Sequence, residues 1–248
     1  MSFFYQYKKV IPLNFSASLS YYLVLSLVPS FLLVYLFSRY IINDLVVIEE
    51  IILLLFPLNY SEELLIFLES SELSFSPYLL FVIIICLNII SNGVNNLTKS
   101  INLIFNYPNN SNKLKAMLLS LLLLLLEGIL LYIGTFINNL FSVFTYLRFL
   151  ILVAIVLFAF IFIYKFLPSK PFKLKEIFNY SVVGSFLISI LIMGFNIFVN
   201  YYSNMKVYYG SFSIIVSILI LFKLISNIIS LVFYFEYLKI KRHNIKFT

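Results

Sequence analysis

The sequence is poor in the residues from which most enzyme centres are built. Its 248 residues include no tryptophan, one histidine and one cysteine, and only 11% are charged. The histidine, His243, lies in a basic C-terminal segment, and none of the predicted membrane spans contains an aspartate. The usual metal, aspartyl and histidine-dependent constellations are therefore missing. We expect no enzyme activity, no metal site and no cofactor.

Cysteine and glycine are also too few to build a site. The single cysteine, Cys86, excludes an intrachain disulfide and a metal site made from several cysteines. The six glycines are scattered and form no loop that could hold a phosphate. A serine with a lysine base is the remaining option, since Ser226 follows Lys223 by three residues. Neighbours on one helix rarely point at each other as that chemistry requires.

Apolar residues make up most of what is present. They account for 62% of the chain, and the mean hydropathy is +1.05, whereas a soluble domain carries about 25% charged residues. This composition predicts an all-α polytopic membrane protein and excludes a soluble enzyme or a nucleic-acid-binding domain. At about 20 apolar residues per helix, residues 1–248 form a single domain of six transmembrane helices. The predicted spans are 17–37, 76–97, 114–137, 149–167, 181–201 and 211–237.

The positive charges predict the orientation of these helices. Thirteen Lys and Arg residues fall on the side of the chain termini, three fall on the other side, and Lys223 lies within a span. Because Lys and Arg accumulate in cytoplasmic loops, both termini are expected in the cytoplasm. We therefore attribute the net charge of +7 to the orientation of the protein in the membrane, and we expect no nucleic-acid partner.

The first extracytoplasmic loop, residues 38–76, differs from the others in its charge. It holds seven of the ten acidic residues of the chain. Asn43 or Asp44 could begin one short amphipathic helix there and Ser61 another, both lying at the outer interface. The alternative is a solvated loop whose acidic residues only keep it outside.

Polar residues at helical spacing mark five of the six spans. The stripe in the second span is Asn88, Asn92, Asn95 and Lys99. If these stripes face inward, they line a hydrophilic cavity; the alternative is hydrogen bonding and close packing between helices. The fourth span has only Tyr164 and Lys165 as polar residues, near its end, so we expect it to be the most lipid-exposed helix.

Two ionisable residues, Glu127 and Lys223, lie at membrane depth. Glu127 is about 18 Å along the helix from Lys115, and Lys223 is about 24 Å from Lys239. A single charge in hydrocarbon is costly, which favours a buried pair that serves substrate binding or coupling. The alternatives are a structural ion pair or a lysine that snorkels to the interface.

The first span opens with a recognisable motif, Ala-Ser-Leu-Ser-Tyr-Tyr-Leu-Val-Leu-Ser-Leu-Val-Pro, from residue 17 to residue 29. It resembles the opening signature of the YihY/BrkB family of bacterial inner-membrane proteins. The other matching positions are Ser91 and Gly93 with a later Asn102, Pro168 and Gly184 around the start of the fifth span, Tyr209, Gly210 and Ser211 opening the last span, and Glu236 near its end.

The sequence departs from the family pattern in the last span. It lacks the tryptophan that family members usually have there, Lys223 lies near that region, and Phe235 replaces the small residue before Glu236. The resemblance implies a multi-pass protein of the bacterial cytoplasmic membrane. Some members are linked to virulence or to envelope lipid export, and a ribonuclease label attached to the family has no counterpart in these residues.

Together these observations predict a protein that transports or flips an envelope lipid or another amphipathic molecule, with membrane lipids as its partners. The alternative is a structural or interaction protein of the cell envelope that does not transport. The candidate intramembrane pathway consists of Glu127, Lys223, Asn88, Asn92, Asn196, Asn227 and Glu236.

Overall fold

The computed structural model describes residues 3–37, 66, 77–109, 112–122, 145–201 and 206–245. This part of the chain is helical, because a helix satisfies its own backbone hydrogen bonds in an apolar environment. It contains α1 (Phe3–Val10), α2 (Phe15–Phe37), α3 (Pro77–Ile104), α4 (113–122), α5 (Thr145–Phe166), α6 (Leu174–Tyr201) and α7 (Lys206–Ile245).

Three of these helices have the length and apolar composition needed to cross a membrane. They are Phe149–Phe166 of α5, Leu174–Phe198 of α6 and Val216–Lys241 of α7, and α2 adds the shorter apolar stretch Phe15–Ser26. The all-helical membrane class is therefore confirmed. The number of six spans is not, since the third span is described only as far as residue 122.

Helix α7 organises the packing of the bundle. It packs against α2 and against α6, while α5 packs on α6 and α3 packs on α2. Helix α1 is joined to α7 by a hydrogen bond of 2.6 Å between the hydroxyls of Tyr7 and Ser230. The most deeply buried apolar side chains include Ile101, Leu167 and Phe233, one from each of three different parts of the chain. They belong to one core that joins α3, α5 and α7.

Gly184 allows α5, α6 and α7 to approach closely. A Cβ atom at this position would lie 2.6 Å from Cγ2 of Val232 on α7 and 3.2 Å from the ring of Phe160 on α5. One helical turn further along, α5 reaches Tyr164 and α7 reaches Glu236. The close approach at Gly184 therefore positions these two residues in the same layer of the bundle.

The segments that follow α3 and α5 are tied together at one end of the bundle. The backbone N–H of Ser169 donates to Oδ1 of Asn102 at 2.9 Å, and the Ser169 hydroxyl donates to the carbonyl of Pro108 at 2.7 Å. Helix α3 ends at Ile104, and two residues later Asn106 has the left-handed conformation, with φ of 56°, which asparagine tolerates better than most residues. We call this the basic end, because it carries Lys8, Lys9, Lys99, Lys113, Lys115, Lys165, Lys170, Lys173, Lys175, Lys239 and Lys241.

Aromatic rings fill the interior of the basic end. Phe105 and Phe172 have ring centroids 4.7 Å apart, and Tyr164 lies 5.6 Å from Phe172 and 5.1 Å from Phe233. Tyr164 is completely buried, although it is one of the two polar residues of the fourth span. Its ring is held between α7 and the segment after α5, whereas the neighbouring Lys165 and Phe166 are exposed.

Candidate functional site

Helix α3 has two adjacent polar faces. Asn88 is exposed, and Asn92 and Asn96 are half-buried. Ser91, Thr98 and Asn102 lie on the second face and are buried. Asn95 is half-buried and lies between the two faces, since residues three and four positions apart share one side of a helix.

Side-chain hydrogen bonds join the first face to α2, and join α2 in turn to α7. The Asn96 amide donates to the Ser18 hydroxyl, and the Ser16 hydroxyl donates to Oδ1 of Asn227. Lys223 Nζ donates to the Ser16 hydroxyl at 3.2 Å. Of the seven polar residues along this line, Asn88, Lys223 and Asn227 are exposed. We call the set the polar track: Asn88, Asn92, Asn96, Ser16, Ser18, Lys223 and Asn227.

The surroundings of Lys223 favour one of the alternatives drawn from the sequence. The side chain is exposed, and its ammonium group reaches the first turn of α2. The chain enters the bundle at that turn, so the contact agrees with a lysine that snorkels toward the basic end. Glu127 lies outside the described residues, and its pairing with Lys223 stays a prediction.

Two other candidate residues lie away from the polar track. Asn196 belongs to α6, which packs mainly on α5 and α7. Its side-chain oxygen is buried without a hydrogen-bond partner in the described part of the chain. Glu236 is on α7 but completely buried, so it does not share the accessible surface of Lys223 and Asn227.

Glu236 is the one buried carboxyl group among the described residues. Neither of its oxygens has a hydrogen-bond partner there, although the Tyr164 hydroxyl approaches closely enough to interact. Lys239, one turn away, instead donates to the carbonyl of Glu176 at 2.6 Å and lies 5.7 Å from the centroid of the Tyr180 ring. A buried carboxylate without a partner is strongly destabilising.

A small pocket opens beside the second polar face of α3. It lies between α3, α4 and the segment after α5, and its volume of about 10 Å³ has room for about one water molecule. Its lining consists of Asn95, Thr98, Asn112, Lys115, Ala116, Leu119, Leu167 and Ser169. Asn112 begins α4 by accepting a hydrogen bond of 3.2 Å from the N–H of Leu114, as residues at the start of a helix commonly do. The pocket is therefore polar on one side and apolar on the other.

Polar atoms without partners accompany this pocket. In the described part of the chain, the Ser91 hydroxyl, Oδ1 of Asn95 and Nδ2 of Asn102 are buried and make no hydrogen bond. Native proteins rarely leave such groups unsatisfied. Of the three residues, Asn95 lines the pocket, and Ser91 and Asn102 are buried elsewhere on α3.

The rim of the basic end also contains a tyrosine with a shifted pKa. Burial raises the pKa of Tyr107, and the negative charge of Glu176 raises it further. Lys170 lies 6.0 Å from the centroid of the Tyr107 ring. The hydroxyl is therefore neutral at physiological pH. No three His, Cys, Asp or Glu side chains within the described ranges are grouped so that they could hold a metal ion.

Reading the sequence alone missed several of these residues. The polar stripe predicted for this helix omits Asn96, although a step of four residues leads from Asn88 to Asn92 and from Asn92 to Asn96. Ser169 was missed because it lies outside every apolar run. A signal for its position existed in the neighbouring Pro168, which marks the end of α5.

The family of the chain follows from a comparison with protein-family models. A family model described as “Virulence factor BrkB” matches residues 3–236, which is more than nine-tenths of the chain. The chain belongs to the BrkB family. No curated protein and no solved structure matches it. The BrkB match covers every helix described above except the last turns of α7, so the polar track and the pocket both lie within it.

Three positions through which the sequence resembles the BrkB family hold helices or segments together. Gly93 lies against Tyr22 of α2, where an added Cβ atom would meet the Tyr22 Cβ at 3.1 Å. Asn102 binds the segment after α5, and Gly184 lets α5 and α7 approach α6. A packing role therefore accounts for these residues in this BrkB protein.

Proposed function

We propose that this BrkB-family protein is a transporter that moves an amphipathic molecule, an envelope lipid, across the bacterial cytoplasmic membrane along the polar track. It is not proposed to carry out a chemical reaction. The proposal includes six transmembrane helices and a cytoplasmic basic end, because Lys and Arg accumulate in cytoplasmic segments.

The observation that carries the proposal is the exposure of polar side chains on apolar helices. Lys223 lies seven residues after Val216, or about 10 Å into the apolar part of α7, and it is exposed together with Asn227. Polar groups in contact with hydrocarbon are costly. A membrane protein keeps them where they meet water or the polar part of a ligand.

The polar track is long enough to guide a headgroup over part of the membrane. Asn88, Asn92 and Asn96 cover about 12 Å of α3. Asn96 and Ser18 connect this line to α2, and Ser16 connects α2 to Lys223 and Asn227. A headgroup could exchange hydrogen bonds from one side chain to the next while its acyl chains stay in the lipid.

Transport is tested in vesicles that contain the purified full chain. Fluorescent phosphatidylglycerol or phosphatidylcholine is placed in both leaflets, and a membrane-impermeant reductant bleaches the label that reaches the outer surface. We expect the protein to allow bleaching of label that stays protected in empty vesicles. Asn88→Leu should slow this process about tenfold, because losing one hydrogen bond in a low-dielectric site costs about 1–2 kcal/mol.

Asn179→Leu is the matched control, since Asn179 is an exposed asparagine of α6 outside the polar track. It should transport at the rate of the unchanged protein. Equal bleaching with and without protein for both lipids would count against the proposal and favour the structural or interaction role.

A further inference from the structure

The hydrogen bonds around Lys223 leave donors on the surface of the polar track. Lys223 Nζ donates to the Ser16 hydroxyl, and that hydroxyl donates in turn to Oδ1 of Asn227. An ammonium group and an amide nitrogen can donate but not accept. Within the described part of the chain, the other N–H groups of Lys223 and the amide N–H groups of Asn227 have no acceptor. What this network still offers to a ligand is therefore a set of donors.

The same place carries the charge of the polar track. Lys223 is its one ionisable residue, and the other six members are Asn or Ser. Among the described residues no acidic side chain pairs with Lys223. Lys223 and Asn227 lie one turn apart on α7, and both are exposed. Because a cation at membrane depth is costly without water or a counter-charge, an anionic group is the ligand that would stabilise Lys223 most.

Apolar side chains flank these donors on the same side of α7. Ile220 precedes Lys223 by three residues, and Leu224 and Leu231 lie three residues before and four residues after Asn227, spacings that share one side of a helix. All three side chains are exposed, by 55%, 42% and 38% of their surfaces. A free anion would gain nothing from this apolar surface. A lipid would place its acyl chains there while its headgroup meets the donors.

We propose that Lys223 and Asn227 bind the phosphate group of an anionic lipid and make the polar track selective for such a lipid over a zwitterionic one. The phosphate oxygens accept hydrogen bonds from both side chains. Lys223 also compensates the net negative charge, which a zwitterionic headgroup does not carry. The inference rests on the proposed transport, of which it names the substrate class.

The test measures binding of the first lipid molecule to the detergent-solubilised full chain by native mass spectrometry, with phosphatidylglycerol as the anionic probe and phosphatidylcholine as the zwitterionic one. Lys223→Gln should weaken phosphatidylglycerol binding about fivefold, the contribution of one basic side chain near an anionic lipid. Phosphatidylcholine binding should change less, and Lys223→Arg should keep the preference. Lys165→Gln is the matched control, since Lys165 is an exposed lysine of α5 outside the polar track, and both affinities should stay within about twofold.

A second variant and a competitor make the result specific. Asn227→Leu keeps the net charge and should weaken the binding of both lipids, because it removes donors to the phosphate that both contain. Excess inorganic phosphate should not displace phosphatidylglycerol, since the free ion has no acyl chains. Displacement, equal losses for Lys223→Gln and Lys165→Gln, or no loss for Lys223→Gln would overturn the proposal. The last result is the one expected if Glu127 neutralises Lys223.

The two proposals fail in different ways. Selective binding that depends on Lys223, without movement of either lipid in the vesicle assay, would retain the binding site and reject transport. Movement of both lipids at equal rates, slowed by Asn88→Leu and without any effect of Lys223→Gln on binding, would retain transport and reject the selectivity.

Discussion

Replacing Gly184 by alanine tests the close approach of α5, α6 and α7. The added methyl group would lie 2.6 Å from Cγ2 of Val232 and 3.2 Å from the Phe160 ring. Both neighbours are buried, with 5% and 2% of their surfaces exposed, so neither can turn away freely. Overpacking of this kind costs about 1–3 kcal/mol, and the better helix propensity of alanine returns at most about 1 kcal/mol.

Gly194→Ala is the matched control on the same helix. A Cβ atom there would have no neighbour within 4 Å, so the gain in helix propensity of up to about 1 kcal/mol is not opposed. Gly184→Ala should therefore lower the apparent Tm by about 3–6 °C, whereas Gly194→Ala should leave it unchanged or raise it slightly.

The assay heats the detergent-solubilised full chain and follows the fraction that still elutes as a single species in size-exclusion chromatography. Gly93→Ala should give a smaller loss than Gly184→Ala, because its Cβ would meet Tyr22 at 3.1 Å and Gly93 is only half-buried. If Gly184→Ala is as stable as Gly194→Ala, the three helices are not packed as described.

Three further predictions concern the basic end. Glu236→Gln should be at least as thermostable as the unchanged chain, because both carboxyl oxygens of Glu236 are buried without a hydrogen bond among the described residues. Glu236→Lys should prevent folding, and instability of the glutamine variant would show that the carboxyl group is needed. Asn102→Ala should lower the free energy of unfolding by about 1–3 kcal/mol, because it leaves the backbone N–H of Ser169 without its acceptor. The control Asn109→Ala, at an exposed position, should not lower it, and equal thermal stability of the two variants would contradict this prediction. In intact cells and a cysteine-free background, an impermeant thiol reagent should label Tyr60→Cys and not Lys170→Cys, and the opposite pattern would reverse the proposed orientation.

The helices were the most predictable part of the fold. Long apolar runs identify a membrane helix from composition alone, and the predicted spans 149–167, 181–201 and 211–237 overlap α5, α6 and α7. Their ends were less predictable. Helix α7 continues to Ile245, beyond the end of its apolar stretch. Tyr7, Phe15 and Phe105 contact α7 before this extension, at Ser230, Phe233 and Tyr237.

The candidate site was predictable only in part. Asn88, Asn92, Lys223 and Asn227 were recognised as polar residues on apolar helices, and the structure places them on the polar track. The rotation of about 100° per residue sets which neighbours each residue meets. Asn96 donates a hydrogen bond to Ser18 of α2, whereas the adjacent Asn95, equally half-buried, lines the pocket beside α4.

The depth of Lys223 was also not predictable from one helix. Counting residues from Lys239 gives a distance along α7 but says nothing about where its neighbours begin. The contact with Ser16 shows that α2 begins level with the middle of α7. Likewise, nothing in the sequence around Tyr164 shows that Phe172 and Phe233 enclose it, since both arrive from other parts of the chain.

The most direct test of the central claim is the water accessibility of the polar track in a bilayer. With Cys86 replaced by serine, Asn88→Cys and Asn227→Cys are compared with Ile220→Cys and Leu231→Cys, which lie at exposed apolar positions of α7. The measurement is the rate of reaction with a charged, water-soluble thiol reagent in vesicles that contain the full chain. Only the thiolate form of a cysteine reacts, and the thiolate forms where water reaches the side chain. The two polar-track positions should therefore react at least about tenfold faster than the two apolar positions. Equal, slow reaction at all four positions would contradict the account.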